Sequence, residues 1–180
     1  MKEIEVKILD INRKEVVEKL ISLGAKKIFD GEIYALFFDF PDKTGKKNTD
    51  NPERNSKKTI RLRKMGDKVF LTIKEPIEHD AVKIREEHEV EVSDFEKTRK
   101  ILESLGLSEW LTMKKHRTSY LVEDVHFELD KHHDQYEYVP EFLEIEARDI
   151  DTLYRYVELL GFKREDCKPW TILDIADNLN

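Results

Sequence analysis

Short segments in which charged residues alternate with apolar ones recur along the whole chain. In the first, Glu3-Ile4-Glu5-Val6-Lys7, the apolar side chains fall on one face of a strand and the charges on the other. One such strand would suit the solvated face of an antiparallel sheet. The pattern returns in Arg61-Leu62-Arg63, Thr72-Ile73-Lys74, Glu89-Val90-Glu91, Lys115-His116-Arg117, Glu128-Leu129-Asp130 and Glu144-Ile145-Glu146. This repetition predicts that the polar faces of seven strands share one lumen.

The order of the remaining patterns predicts how these strands are connected. Apolar residues at helical spacing, each time followed by a glycine, predict helices at 13–23, 95–105 and 150–160. Strand patterns cover 26–40, 59–64, 69–74, 82–92, 111–122, 125–130 and 142–148, and the polar run 43–58 predicts a long flexible lip. Both halves of the chain read strand, helix, meander. An α+β fold is therefore expected, a closed antiparallel barrel of about eight strands with the helices packed outside.

Length and charge limit the function classes. A chain of 180 residues fits one domain spanning 1–180, and a net charge of −7 disfavours binding of nucleic acid. A small anionic substrate fits better. The chain starts in a strand pattern and has no apolar stretch long enough for a membrane, so a cytoplasmic protein is expected. The single cysteine, Cys167, permits no intrachain disulfide and is expected to be structural.

The acidic members of the alternating segments favour hard divalent cations. Mg²⁺ and Mn²⁺ prefer carboxylate oxygens and keep several waters, which suits an open set of acids from several strands. The candidates are Glu3, Glu5, Glu89, Glu91, Glu128, Asp130, Glu144 and Glu146. Crowded carboxylates raise one another's pKa, so cation binding should stabilise the fold and release protons.

The basic members of the same segments suit a polyphosphate. Arginine offers bidentate forks and lysine offers point charges, and positioning with charge neutralisation supplies most of the rate in phosphoryl transfer. The candidates are Lys7, Arg61, Arg63, Lys74, Lys115 and Arg117. Periodicity alone leaves a second interpretation open, in which these residues form surface ion pairs on solvated strand faces.

The order of the motifs resembles the CYTH family, also called triphosphate tunnel metalloenzymes. Glu3-x-Glu5-x-Lys7 is followed by Arg61-x-Arg63, Lys74, Glu89-x-Glu91, Lys115-x-Arg117, Asp130 and Glu144-x-Glu146 over nearly the whole chain. The resemblance implies an eight-stranded antiparallel barrel with a tunnel for a triphosphate. Family members include class IV adenylate cyclases, thiamine triphosphatases and inorganic triphosphatases.

The resemblance also implies roles for individual residues. Metal ligands would be Glu3, Glu5, Glu89, Glu91, Asp130, Glu144 and Glu146, and triphosphate contacts would be Lys7, Arg61, Arg63, Lys74, Lys115, Arg117 and Lys168. The residues expected to be catalytic are Glu3, Glu5, Lys7 and Arg63. The chain departs from the family pattern at two places. Val139-Pro140-Glu141-Phe142, before the last acidic pair, weakens the cyclase interpretation. Lys168-Pro169-Trp170, near the C-terminus, keeps the basic residue but lacks the hydroxyl groups that usually follow it.

The expected function is metal-dependent hydrolysis of inorganic triphosphate, thiamine triphosphate or a nucleotide. One alternative is cyclisation of ATP, and another is a binding protein without catalysis. The expected cofactor is Mg²⁺ or Mn²⁺; the expected partner is a small triphosphate, with no nucleic acid or membrane, and a homodimer is left open. His126 is interpreted as a structural or surface residue, Trp110 and Trp170 as packing residues, and the pair His132-His133 as solvated in a polar turn.

Overall fold

Eight antiparallel strands close into a barrel in the computed structural model, which describes residues 2–40, 58–77 and 82–179. The strands are β1 (Lys2–Ile8), β2 (Lys26–Asp39), β3 (Thr59–Met65), β4 (Lys68–Ile77), β5 (Lys83–Val92), β6 (Ser108–Val122), β7 (Val125–His132) and β8 (Phe142–Ala147), followed by a short β9 (Cys167–Lys168). The order around the sheet is β5-β4-β3-β2-β6-β7-β8-β1, and pairing of β1 with β5 closes it. The predicted fold class is confirmed.

Strand β1 has three neighbours because its two ends pair differently. Residues 2–5 pair with β5, whereas Lys7 and Ile8 pair with Lys168 and Cys167 of β9. On its other side β1 pairs with β8 over residues 4–8. The extra strand therefore continues the barrel wall beyond Lys83, the first residue of β5.

The described residues form four α-helices: α1 (Arg13–Ser22), α2 (Phe95–Ser104), α3 (Ile150–Leu159) and α4 (Ile172–Leu179). The side chains of Asn12, Asp94 and Asp149 cap the first three by accepting bonds from backbone N–H groups in the first turn. The predicted starts of these helices are confirmed. Sequence patterns missed α4 and β9, both in the C-terminal segment.

The main hydrophobic core lies outside the barrel wall. Helices α1 and α3 pack on the outward side chains of β1, β7 and β8, and Val6, Leu20, Phe127 and Val157 are fully buried there. A second cluster places Leu102 of α2 against β2 and β3. Since these helices cover outward apolar residues, the opposite strand faces are left to line the interior.

Two further expectations concern the rest of the chain. The predicted lip at 43–58 lies outside the described residues apart from Lys58. Within the described ranges, no helix has both the length and the apolar character required to cross a bilayer.

Candidate functional site: an ionic cavity inside the barrel

The barrel encloses a cavity of about 670 Å³ whose lining is unusually ionic. Because side chains alternate across a strand, the outward apolar residues place their charged neighbours inside. Thirteen of the predicted charged residues line it: Glu3, Glu5, Lys7, Arg61, Arg63, Lys74, Glu89, Lys115, Arg117, Glu128, Asp130, Glu144 and Glu146. We call these thirteen residues, together with Glu87, the charged belt. The open alternative of solvated strand faces is wrong for them.

One part of the charged belt joins β1, β3, β4 and β5. Lys74 Nζ lies 2.5 Å from Glu3 Oε2 and 2.8 Å from Glu87 Oε2. Arg63 donates to Glu89 Oε2 at 2.9 Å, and the hydroxyl of Thr72 donates to the same oxygen at 2.7 Å. Each carboxylate here is therefore already opposed by a cation from another strand of the barrel.

The other part of the charged belt joins β1, β6, β7 and β8. Arg117 binds Asp130 through two nitrogens at 2.6 and 2.5 Å, and Lys115 Nζ lies 2.6 Å from the same carboxylate. Lys7 Nζ lies 2.8 Å from Glu144, its cross-strand partner in the β1–β8 register, and 3.4 Å from Glu5. These largely buried pairs hold the side chains in fixed positions within the lumen.

Two arginines keep unused hydrogen-bonding capacity. The Nε atoms of Arg61 and Arg63 are buried and have no hydrogen-bond partner among the residues that the structure describes. Leaving a buried donor unpaired costs on the order of 1–3 kcal/mol, more when the group is charged. A bound anion with several acceptor oxygens would satisfy both donors.

Crowding of carboxylates shifts their ionisation on the β1–β8 side. Burial and the nearby carboxylate of Glu3 raise the pKa of Glu146 to about 9. Burial and a hydrogen bond with Glu87 raise the pKa of Glu3 to about 7, against the opposing effect of Lys74. At neutral pH the cavity therefore holds protons that a divalent cation could displace.

The cationic side of the cavity is shifted as well. Burial and the adjacent Arg117 lower the pKa of Lys115 to about 8. Burial opposes ionisation of Asp130, but Arg117 and Lys115 hold the pKa of that carboxyl far below its usual range. The Asp130 carboxylate is thus a permanent anion that keeps the two cations in place.

The donor chemistry of the cavity fits a hard divalent cation. Glu3, Glu5 and Glu146 supply carboxylate oxygens from adjacent strands, the ligand type that Mg²⁺ and Mn²⁺ prefer. Within the described ranges, however, no three His, Cys, Asp or Glu side chains converge closely enough to hold an ion. The ligand roles assigned from sequence remain predictions.

Two predicted site residues lie outside the cavity lining. Glu91 is at the end of β5, where its half-exposed side chain pairs with Lys68 at 3.1 Å. Lys168 donates to the backbone carbonyl of Glu165 at 3.1 Å and sits over the ring of Trp170. Glu91 shares the strand face of Glu89 but lies at the exposed end of β5, whereas Lys168 lies on the short β9, where it is the register partner of Lys7.

Sequence reasoning missed several polar residues of the lining, among them Glu87, Arg85 and His132. Glu87 and Arg85 precede Glu89 on the same face of β5, so extending the alternation by two steps would have found them. His132 was expected to be solvated, which is wrong, because it is only 3% exposed. Strand β7 runs to His132, and the parity of Glu128 and Asp130 turns its ring inward. His126 also lines the cavity.

An apolar wall adjoins the charged belt, since Ala35 and Phe37 of β2 are the register partners of Arg63 and Arg61. It consists of Ile33, Ala35 and Phe37 of β2 and Leu111 and Met113 of β6, which are paired in the sheet. Trp110 lies against Phe37 with a centroid distance of 6.2 Å and also lines the cavity, as do Ile172 and Leu173 of α4. The interior therefore combines an ionic surface with an apolar surface in one space.

The fold and the site together define a closed antiparallel barrel whose lumen is lined by paired acids and bases. The chain belongs to the CYTH domain family, whose model matches residues 1–165. It is 32% identical over 133 residues, 72% of this chain and 70% of the relative, to "Putative adenylate cyclase MJ0240" of Methanocaldococcus jannaschii.

Solved structures with the same fold include archaeal and plant proteins. The PH1012 protein of Pyrococcus horikoshii superposes with a TM-score of 0.75 at 27% identity, covering 96% of this chain and 98% of that one. HpAC1 of Hippeastrum, an adenylyl cyclase homologue described as having a dominant triphosphatase activity, has a TM-score of 0.57 at 16% identity, covering 89% and 88%. The second likeness concerns the fold alone.

Proposed function

We propose that this protein is a metal-dependent enzyme that hydrolyses a triphosphate-bearing small molecule inside its barrel. The observation that carries the proposal is the pair of buried Nε donors on Arg61 and Arg63, which have no hydrogen-bond partner in the described ranges and lie beside the other cations of the charged belt. Such donors suit the several oxygens of a phosphate chain. Family membership and the name of the Methanocaldococcus relative support the same substrate class.

The basic and acidic residues of the cavity would have different roles in phosphoryl transfer. Arg61, Arg63 and Lys115 would neutralise charge on the phosphoryl oxygens, which is the largest contribution in such reactions. Lys7 is buried; the Glu144 carboxylate raises its pKa despite that burial, so it stays a cation. Mg²⁺ or Mn²⁺ held by Glu3, Glu5 and Glu146 would supply Lewis acidity and a more acidic water.

A second candidate function is cyclisation of ATP, in which the ribose 3′-hydroxyl attacks the α-phosphorus and pyrophosphate leaves. The specific observation in its favour is the apolar wall, which offers surface for a nucleoside next to the charged belt. The name of the Methanocaldococcus relative supports it too. Both reactions would use the same cations and the same metal ion.

A substrate panel separates the candidates. The purified protein is incubated with inorganic triphosphate, thiamine triphosphate or ATP, each with Mg²⁺ and with Mn²⁺, and orthophosphate, pyrophosphate and cyclic AMP are measured. Orthophosphate release that depends on the divalent ion supports hydrolysis, and cyclic AMP with pyrophosphate supports cyclisation. Tight metal-dependent binding without turnover of any substrate would reject both and leave a triphosphate-binding protein.

A further inference from the structure

His132 is a buried polar residue whose position the ion pairs do not explain. It is the last inward side chain of β7, two residues beyond Asp130, and it is the register partner of Lys115 on β6. Its side chain lines the cavity although the residue is only 3% exposed. The imidazole therefore faces the interior rather than solvent.

One nitrogen of this ring finds no hydrogen-bond partner in residues 2–40, 58–77 and 82–179. Nδ1 is buried and makes no hydrogen bond to any residue in the described part of the chain. The ring itself is fixed, since it stacks on Phe142 with a centroid distance of 5.9 Å and an interplanar angle of 18°, and its edge contacts Tyr136. A phenylalanine would make the same apolar contacts without the unpaired nitrogen, so packing alone does not account for a histidine here.

The ring lies where the two surfaces of the cavity meet. On one side its strand neighbours are Asp130 and Lys115 of the charged belt, joined at 2.6 Å. On the other side, Phe142 belongs to the apolar cluster that includes Ile172 of α4, and Met113 of the apolar wall is the next inward residue of β6 after Lys115. A ligand that contacted both surfaces would lie next to the His132 ring.

Building on the proposed function, we propose that His132 hydrogen-bonds the substrate where its triphosphate joins its organic group, which makes organic triphosphates the substrate class of this cavity. The charged belt supplies cations for phosphoryl oxygens, and the apolar wall accepts the face of a ring. An imidazole presents one N–H donor and one lone-pair acceptor, which match a hydroxyl group or an ester oxygen at the junction. Inorganic triphosphate would fill only the charged part.

Three variants test this contact with ATP and inorganic triphosphate as probes. His132→Phe keeps the stacking on Phe142 and removes both nitrogens, whereas His132→Asn places an amide nitrogen near the position of Nδ1. His133→Phe is the matched control, because its exposed side chain pairs with Glu32 on the outer surface. Isothermal calorimetry with Mg²⁺ gives the dissociation constant for each probe, and turnover is measured in parallel.

We expect His132→Phe to weaken ATP binding about tenfold, the size of one hydrogen bond, while inorganic triphosphate changes less than about twofold. His132→Asn should recover most of the lost ATP affinity, which a merely structural role would not produce. Equal losses for both probes, or no loss for either, would overturn the inference. Wild-type protein that binds both probes but turns over no triphosphate rejects the proposed enzyme function and leaves this contact standing; binding of neither rejects both.

Discussion

The charged belt and the apolar wall line one cavity and obey one alternation, yet they have opposite chemistry. Both consist of inward side chains of the barrel strands, and Lys115 and Met113 are consecutive inward residues of the same strand, β6. The charged belt requires ion pairs because an isolated charge in the lumen would be strongly destabilising. The comparison teaches that strand parity decides which residues enter the lumen, while residue identity decides which part of a ligand each surface can bind.

Both surfaces of the cavity contribute less to the stability of the barrel than the outer core does. The barrel is stabilised mainly by the outer core beneath α1 and α3, where side chains such as Val6 and Phe127 are fully buried. Single inward residues can therefore be changed with limited effect on folding, provided that no partner charge is left unpaired. This separation makes the comparison of the two surfaces experimentally accessible.

The largest expected effect comes from removing a cation of the charged belt. Arg63→Ala should lower kcat/KM for the best triphosphate substrate by about 10²–10³, because transition-state charge on the phosphoryl oxygens loses a buried donor. Orthophosphate release measures it. Arg148→Ala is the control, since that side chain is 72% exposed and pairs with Asp124 on the surface. Full activity of the Arg63 variant would show that the charged belt does not take part in catalysis.

The apolar wall should show a smaller and more selective effect. Phe37→Ala removes the ring that packs against Trp110 and should raise KM for ATP about tenfold through lost apolar contact area. Inorganic triphosphate should be affected little, so the ratio of the two KM values is the measurement. Phe40→Ala, at a position that is 60% exposed, is the matched control. A parallel loss for both substrates would argue against a division of labour between the surfaces.

Stability against pH tests the crowding of carboxylates. Glu146 keeps its proton in the folded state up to about pH 9 but ionises near 4.5 when unfolded, so the free energy of unfolding falls as pH rises between these values. Glu146→Gln removes this loss and should raise that free energy by about 1–3 kcal/mol near pH 8, with little change near pH 4.

Urea unfolding at the two pH values measures the difference, and Mg²⁺ provides its control. Added Mg²⁺ should stabilise the wild-type protein more than the Glu146→Gln variant. The ion would neutralise the charge of the Glu146 carboxylate, which the variant lacks. Equal unfolding midpoints for the two proteins near pH 8 would show that Glu146 is not crowded in the cavity.

The smallest effects distinguish residues that share a strand face but differ in depth. Glu89 accepts bonds from Arg63 and Thr72, whereas the side chain of Glu91 is 53% exposed. Glu89→Gln should lower kcat/KM about tenfold, and Glu91→Gln should change it less than about twofold. Steady-state kinetics on both variants checks this, and the reverse order would show that the cavity extends to the end of β5 during turnover.

Local patterns predicted most of the fold correctly. The glycines after α1, α2 and α3 adopt positive φ angles of 82°, 89° and 82°, as the ends of those helices require. The C-terminal segment was not predicted, because α4 spans only eight residues and β9 only two. Elements that short owe their structure to tertiary contacts, here those of Ile175 with Phe142 and of β9 with β1.

The sequence predicted which face of each strand lines the cavity, but it did not predict how far along the barrel axis each side chain lies. His132 illustrates the difference: next to His133 it resembles part of a polar turn, but β7 continues to this residue and Phe142 covers its ring. Glu91 illustrates the converse, since its inward parity is correct while its position at the end of β5 leaves it in solvent. Depth along the barrel axis depends on the register of all eight strands, which no single segment specifies.

The sequence by itself determined which side chains share a strand face, because a period of two is a property of the extended backbone, and it thereby determined that acids and bases would meet inside a barrel. Only the tertiary structure decided which charges pair, which end of each strand reaches solvent, and where the apolar wall meets the charged belt. These features follow from strand register and barrel closure, which bring together residues far apart in the chain, such as Lys74 and Glu3 at 2.5 Å.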